Sequence, residues 1–207
     1  MDEENLDQLR KLTELLSDRQ ALDLLLVVTG SRPACLVMDP SEQGKKRLVE
    51  FCRSSDLYHR IEEDRSPGLG KEGFFITRNE KRLEKLNNSE GRFYGLSDRH
   101  VGEFLGFPEE DVDYFHENIN KGPVEPETRR KKSEMKSRGM ISEKEEKISE
   151  IVSYVPKPSE SRVKHALSRS RSYIEDIREF DCENSTNLGS QVLENFLGVS
   201  VKQLYTP

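Results

Sequence analysis

Two small groups of side chains have the types that chemistry needs. His59, Glu62, Glu63, Asp64 and Arg65 stand beside the glycine-containing turn Ser66–Lys71, so a base, carboxylates and a guanidinium could meet around an anionic substrate. The plainer reading is the charged face of an edge strand in water, because Leu57 to Glu62 alternates in character. The second group is Tyr94, Arg99 and His100, where a helix is expected to begin. Backbone N–H groups and the helix dipole favour anions there; Arg99 could grip a phosphate or carboxylate bidentately, and His100 adds a titratable donor. Pro67-Gly68-Leu69-Gly70-Lys71 superficially resembles a phosphate loop, yet it lacks both the G-x-x-x-x-G-K-[ST] spacing and a following helix.

A third chemistry is electrostatic. Arg129, Arg130, Lys131 and Lys132, continued by Lys136 and Arg138, and then Arg162, Lys164, Arg169 and Arg171, could line one positive face. Such a face suits RNA or an acidic protein partner, with Tyr154 or Tyr173 available for stacking. Glu127, Glu134, Glu143, Glu145 and Glu146 dilute that field, and the net charge of −6 argues against a general nucleic-acid binder.

The elements that must position these groups centre on Gly91 to Asn118. Val101, Phe104 and Leu105, then Val112 and Phe115, recur at helical spacing, and Gly106-Phe107-Pro108 interrupts them. Two short helices meeting at a tight turn follow, in the register of a helix-turn-helix with Gly102 where the helices approach. The second helix carries Glu109, Glu110, Asp111, Asp113 and Glu117 and no Lys or Arg. DNA phosphates would repel it, so sequence-specific DNA reading by residues 97–118 is disfavoured and an acidic, solvated face is expected.

Before this corner, Asn5 to Thr29 reads as helix, with Ser17-Asp18 offering a second N-cap that divides it. Ala34 to Met38 is a short apolar run bounded by Pro33 and Asp39-Pro40, the pattern of a buried central strand. A helix after Ser41, a strand over Leu57–Glu62, a strand over Gly73–Thr77 and a helix capped by Asn79 complete a small α/β layer. Beyond Asn120 come the basic helix ending at Gly139, a capping box at Ser142 and Glu145, an apolar β-branched stretch at Ile151–Val155, and a long helix over Ser159–Phe180. A weaker amphipathic helix over Ser185–Tyr205 closes the chain.

With 33% hydrophobic and 35% charged residues in 207, the composition fits a modest core with exposed helices. Cys35, Cys52 and Cys182 are odd in number and never paired as C-x-x-C, which disfavours a disulfide framework or a four-ligand zinc site. The longest apolar run, Leu22 to Val28, is too short to span a bilayer and contains Asp23, and the acidic start MDEEN lacks the charged n-region of a signal peptide. A cytoplasmic protein without membrane association is expected.

In block order, residues from about 20 to 182 resemble the uncharacterised prokaryotic, largely archaeal family catalogued as domain of unknown function number 483. The cues are a strand after a helix (RPACLV), a second strand after a helix (LYHRIEE), and the G-x-x-x-G of Gly91 and Gly95. Leu96-Ser97-Asp98-Arg99-His100 stands where the family has a Pro and paired cysteines. A second frame on Gly106-Phe107-Pro108 puts Glu110 and Asp111 in the cysteine places. Tyr154-Val155-Pro156 matches the family's later His-x-Pro-Cys-x-x-x-Cys, with Lys157 and Ser161 replacing its cysteines. The resemblance implies no activity, and all four thiolates are missing, so a soft metal is not held in that way here.

The fold expected is α+β: a three- to four-stranded sheet from about residues 34–78 plus 151–155, covered by helices, with a helix-turn-helix-like corner at 97–118. Residues 1–182 form the domain and 183–207 a C-terminal helical extension. The function expected is a non-catalytic binding or interaction module with an anion- or RNA-directed basic face, without metal or cofactor. The alternative is a small enzyme using His59, Glu62, Arg99 and His100 on an anionic or phosphorylated substrate.

Overall fold

Ser17 divides the leucine-rich N-terminal segment. Its hydroxyl accepts from the Gln20 N–H while the Gln20 side chain accepts from the Ser17 N–H, a capping box that ends one helix and starts the next. The computed structural model, which describes residues 1–63, 71–86 and 96–200, accordingly has α1 (Glu3–Thr13) and α2 (Asp18–Val28). Every residue of α2 from Ala21 to Val28 is buried, including Asp23.

Three strands follow: β1 (Ala34–Met38), β2 (Tyr58–Glu63) and β3 (Glu72–Thr77), with α3 (Glu42–Ser54) between the first two and its N-cap at Ser41. Both β1 and β2 pair antiparallel with β3, in the order β1-β3-β2. The central strand is therefore β3, not β1 as the apolar run at Ala34–Met38 implies. That run is continuous because both of its faces are covered. Cys35 and Val37, with Phe74 and Ile76 of β3, face the large core of α1, α2, α3 and the C-terminal helices. Ala34, with Phe75, faces a smaller core, against which Leu36 packs.

The smaller core belongs to the helical corner. Asn79 caps α4 (Glu80–Leu83), a 3-10 turn over Glu84–Leu86 follows, and α5 (Asp98–Leu105) and α6 (Glu109–Asn118) form the expected pair. Phe104 of α5 meets Phe75 of β3 edge to face at 5.5 Å. Gly102 is where the helices touch: a Cβ there would stand 2.8 Å from a methyl of Val112. Gly106 ends α5 in the left-handed region, φ +75°, and a Cβ there would come within 2.4 Å of Pro33 Cγ.

The rest is helical: α7 (Glu125–Ser137), α8 (Glu143–Ile148), α9 (Glu160–Glu183) and α10 (Leu188–Leu197). Leu188, Val192, Leu193 and Leu197 of α10 lie in the same core as α2 and α9. The stretch 151–155 forms bends rather than a fourth strand. Ile151 and Val152 are consecutive and both buried, which a strand's alternation does not allow on one covered face, and Pro156 has no N–H to extend a ladder. Among the described residues no helix is long and apolar enough to cross a membrane.

Gly106→Ala must combine a strained φ with a backbone-adjacent clash, whereas Gly139, at φ +67° with open space around it, has only the first difficulty. Thermal unfolding should show G139A losing roughly 1 kcal/mol and G106A clearly more. Equal losses would mean that the contact with Pro33 is not tight.

Candidate functional site

An acidic residue inside an apolar helix must find partners when that helix is buried, because an unpaired charge away from water costs several kcal/mol. Asp23, 8% exposed on α2, is answered from three directions. Arg32, in the loop before β1, donates from Nη1 to Asp23 Oδ1 at 2.6 Å and to Ser153 Oγ at 2.5 Å. Ser153 in turn donates to the same carboxylate oxygen. Arg19, one turn back on α2, places Nε 3.5 Å from Oδ2 and gives Nη1 to the Glu150 carbonyl at 2.7 Å. Two guanidiniums thus share one carboxylate. Burial lowers the pKa of Arg19, and Asp23 works against that shift.

The arrangement leaves two polar atoms unanswered. Nη2 of Arg32, on a side chain 3% exposed, has no hydrogen-bond partner, and neither does the buried hydroxyl of Tyr154. Each such group costs on the order of 1–3 kcal/mol. Burial pushes the Tyr154 phenol up to about 12, so it is a proton donor at neutral pH. The ring of Phe107, on the turn that Gly106 sets, lies over the Arg32 guanidinium at 5.5 Å and against the Tyr154 ring at 5.2 Å.

These residues line part of a cleft of about 500 Å³ between β1, the α5–α6 corner and residues 153–155. Leu36, Val101, Leu105, Val112, Phe115 and Val155 give it apolar walls, and the volume suits a small molecule. Asp98 and the exposed Glu125 stand on its lining as well.

Asp111 holds the corner against α9. Only 2% exposed, it accepts from Arg162 Nε at 3.1 Å and Nη2 at 2.5 Å, and from the Lys157 N–H at 2.8 Å. The pair is bidentate, and the bond to Asp111 raises the pKa of Arg162. Arg169 reaches the same corner, donating to Tyr173 Oη at 3.0 Å and lying 5.9 Å from the Tyr154 ring centre.

The expected sites fare differently. Arg65 and Tyr94, like Gly91 and Gly95 and most of the Ser66–Lys71 turn, lie outside the described residues. His59 is half-buried on β2, its pKa lowered by burial and by Arg53, and Glu62 pairs with Arg60. Arg99 is engaged by Asp113, with Glu103 at 3.6 Å, and His100 Nδ1 lies 2.5 Å from the N-cap hydroxyl of Ser97. Among the described residues, His59, Glu62, Arg99 and His100 line none of four clefts: that beside Met1 and Glu183, that beside Arg10 and Val192, that beside Asp56 and Arg78, and that at the α5–α6 corner.

The basic residues do not make the continuous face that their spacing implies. Arg162 and Arg169 turn inward to the corner. Lys131 and Arg138 meet Glu134 and Glu160, Lys136 meets Glu146 at 2.6 Å, and Arg171 meets Glu145. Arg129 has only an exposed Glu125 at 3.5 Å, Arg130 and Lys164 are exposed, and Lys132 is half-buried with a lowered pKa, chiefly through burial. The acidic face of α6 also needs correction: Glu109, Glu110 and Glu117 are exposed, while Asp111 points inward.

Sequence reasoning missed Asp23 with Arg32, Asp111 with Arg162, and Phe107 with Tyr154. One signal existed for the first pair, since a lone Asp within seven apolar residues calls for a cation nearby. Among the described residues no group of three or more His, Cys, Asp or Glu could hold a metal ion. No family model matches the chain, and no match appears among curated proteins or solved structures.

Removing Arg162 strands the Asp111 carboxylate. R162A should lose about 3–5 kcal/mol in denaturant unfolding, against less than about 0.5 kcal/mol for R130A on the exposed side of α7. Similar losses for the two would show that the Asp111 bridge is dispensable.

Proposed function

We propose that the chain is a cytoplasmic, non-catalytic binding module, and that its ligand seats in the cleft at the α5–α6 corner. The observation that carries the reading is that cleft's combination of apolar walls with two buried, unpartnered polar atoms, Arg32 Nη2 and the Tyr154 hydroxyl. Protein interiors rarely leave such groups unpaired, and a ligand that accepts from both would satisfy them. The free thiols of buried Cys35 and Cys52 and exposed Cys182 support a reducing compartment. The resemblance to the domain of unknown function number 483 stays part of this proposal, on block order alone.

The ion pairs joining α7, α8 and α9 weigh against RNA or an acidic protein as the partner, since those cations are already compensated. Exposed Glu109, Glu110 and Glu117 weigh against DNA. His59 and Glu62 on β2, and Arg99 and His100 on α5, share no cleft among those described, which weighs against the enzyme alternative.

A neutral apolar probe, N-phenyl-1-naphthylamine, tests the reading by fluorescence. Leu105→Lys, on a half-buried wall position, should weaken its binding by about tenfold with the circular dichroism unchanged. Unaltered probe binding would sink the proposal. So would a salt-dependent gel shift of single-stranded RNA that is abolished by R129E/R130E/K131E/K132E, which would hand the function to the basic helices.

A further inference from the structure

Resting on the cleft reading above, we infer that the ligand is a small apolar monocarboxylate, bound head inward against Arg32 Nη2 and the Tyr154 hydroxyl. Three features of the site converge on that chemistry. Arg32 Nη2 and the Tyr154 hydroxyl, both on the cleft's lining residues, are donors without an acceptor, while Arg19 and Arg32 share the one carboxylate of Asp23 and Glu150 stands near Arg19. A ligand carboxylate supplies two acceptor oxygens and a further counter-charge for Arg32 at once.

The second feature is the match of unused hydrogen-bonding capacity. Nη1 of Arg32 is occupied by Asp23 and Ser153, and the buried Nη2 is free to donate. The Tyr154 phenol, also without a partner, stays protonated at neutral pH and offers a second donor. The Phe107 ring lies over the guanidinium at 5.5 Å.

The third feature is the division of the lining between donors and apolar side chains. Asp98 and exposed Glu125 lie on it as well, while the Asp111 charge is answered by Arg162. An anion is oriented with its charge toward Arg32 and the Tyr154 hydroxyl, leaving Leu36, Leu105 and Phe115 for its hydrocarbon body.

Calorimetric titration of the full chain with octanoate, octan-1-ol and octylamine, which share one body and differ in the head, tests the inference. Octanoate should bind at least about tenfold more tightly than octanol, and octylamine more weakly than either. Tyr154→Phe should reduce the preference for octanoate severalfold, and R32K, which keeps the charge facing Asp23 but removes the second donor, should abolish it. Since R32K disturbs a buried pair, the unmutated chain supplies a second measurement: octanoate, and not octanol, should shift the side-chain Nε–Hε resonance of Arg32. Equal binding of octanoate and octanol overturns the carboxylate while leaving the apolar cleft standing. Octanoate binding that leaves Arg32 unshifted overturns the site, and loss of the naphthylamine probe as well would bring down the cleft reading with it.

Discussion

The carboxylate of Asp23 sits in the middle of a helix whose neighbours on every side are apolar, and it can remain charged there only if cations and donors are brought to it. Helix α2 is buried from Ala21 to its end, so moving Asp23 to the surface is not open to the fold. The loop Thr29–Pro33 therefore turns back, aided by the bond from the Arg32 N–H to the Leu26 carbonyl, and delivers Arg32 over the helix. The irregular stretch 151–158 is drawn to the same point by Ser153.

A second buried carboxylate performs the matching task on the other wall. Asp111 stands in the first turn of α6, where its charge is also favoured by the helix dipole, and its oxygens fasten Arg162 of α9 and the Lys157 N–H. The helical corner is small and its own core is six buried side chains, too few to hold it against the sheet by apolar contact alone. Bidentate pairing with α9 adds geometric definition to that contact. The two carboxylates thus fix the opposite walls of one cleft. Phe107 and Tyr154 lie between them because each is carried on a segment that one of the carboxylates anchors.

Much of the architecture is legible in the residues. Ser17 with Gln20, Ser41, Asn79, and Ser142 with Glu145 are local signals, in which a side chain and a backbone N–H two or three positions away settle the matter. Gly102 and Val112 are nearly as local, since two helices joined by a short turn have few ways to meet. What composition and spacing do not reveal is direction. Asp111 lies among four other acidic residues with nothing local to mark it as the inward one, and its partner is 51 residues away. Arg162 and Arg169 likewise read as members of a basic face until the rotation of α9 about its axis is known. Continuous apolar character placed β1 in the centre of the sheet, although its burial comes from layers above and below and not from a strand on each side.

The remaining question is why a chain that answers two buried carboxylates so fully leaves Arg32 Nη2 and the Tyr154 hydroxyl unanswered. Folding alone gives no reason to keep them. A Phe in place of Tyr154 would remove the orphaned hydroxyl and retain the ring contact with Phe107, and a Lys in place of Arg32 would still reach the carboxylate with one fewer buried donor to satisfy. Retaining both groups costs stability that those simpler side chains would not forfeit, and both residues line a single apolar cleft. Unused donors scattered through a protein are packing defects. Two of them on the lining of one cleft have the character of an interaction surface awaiting its other half.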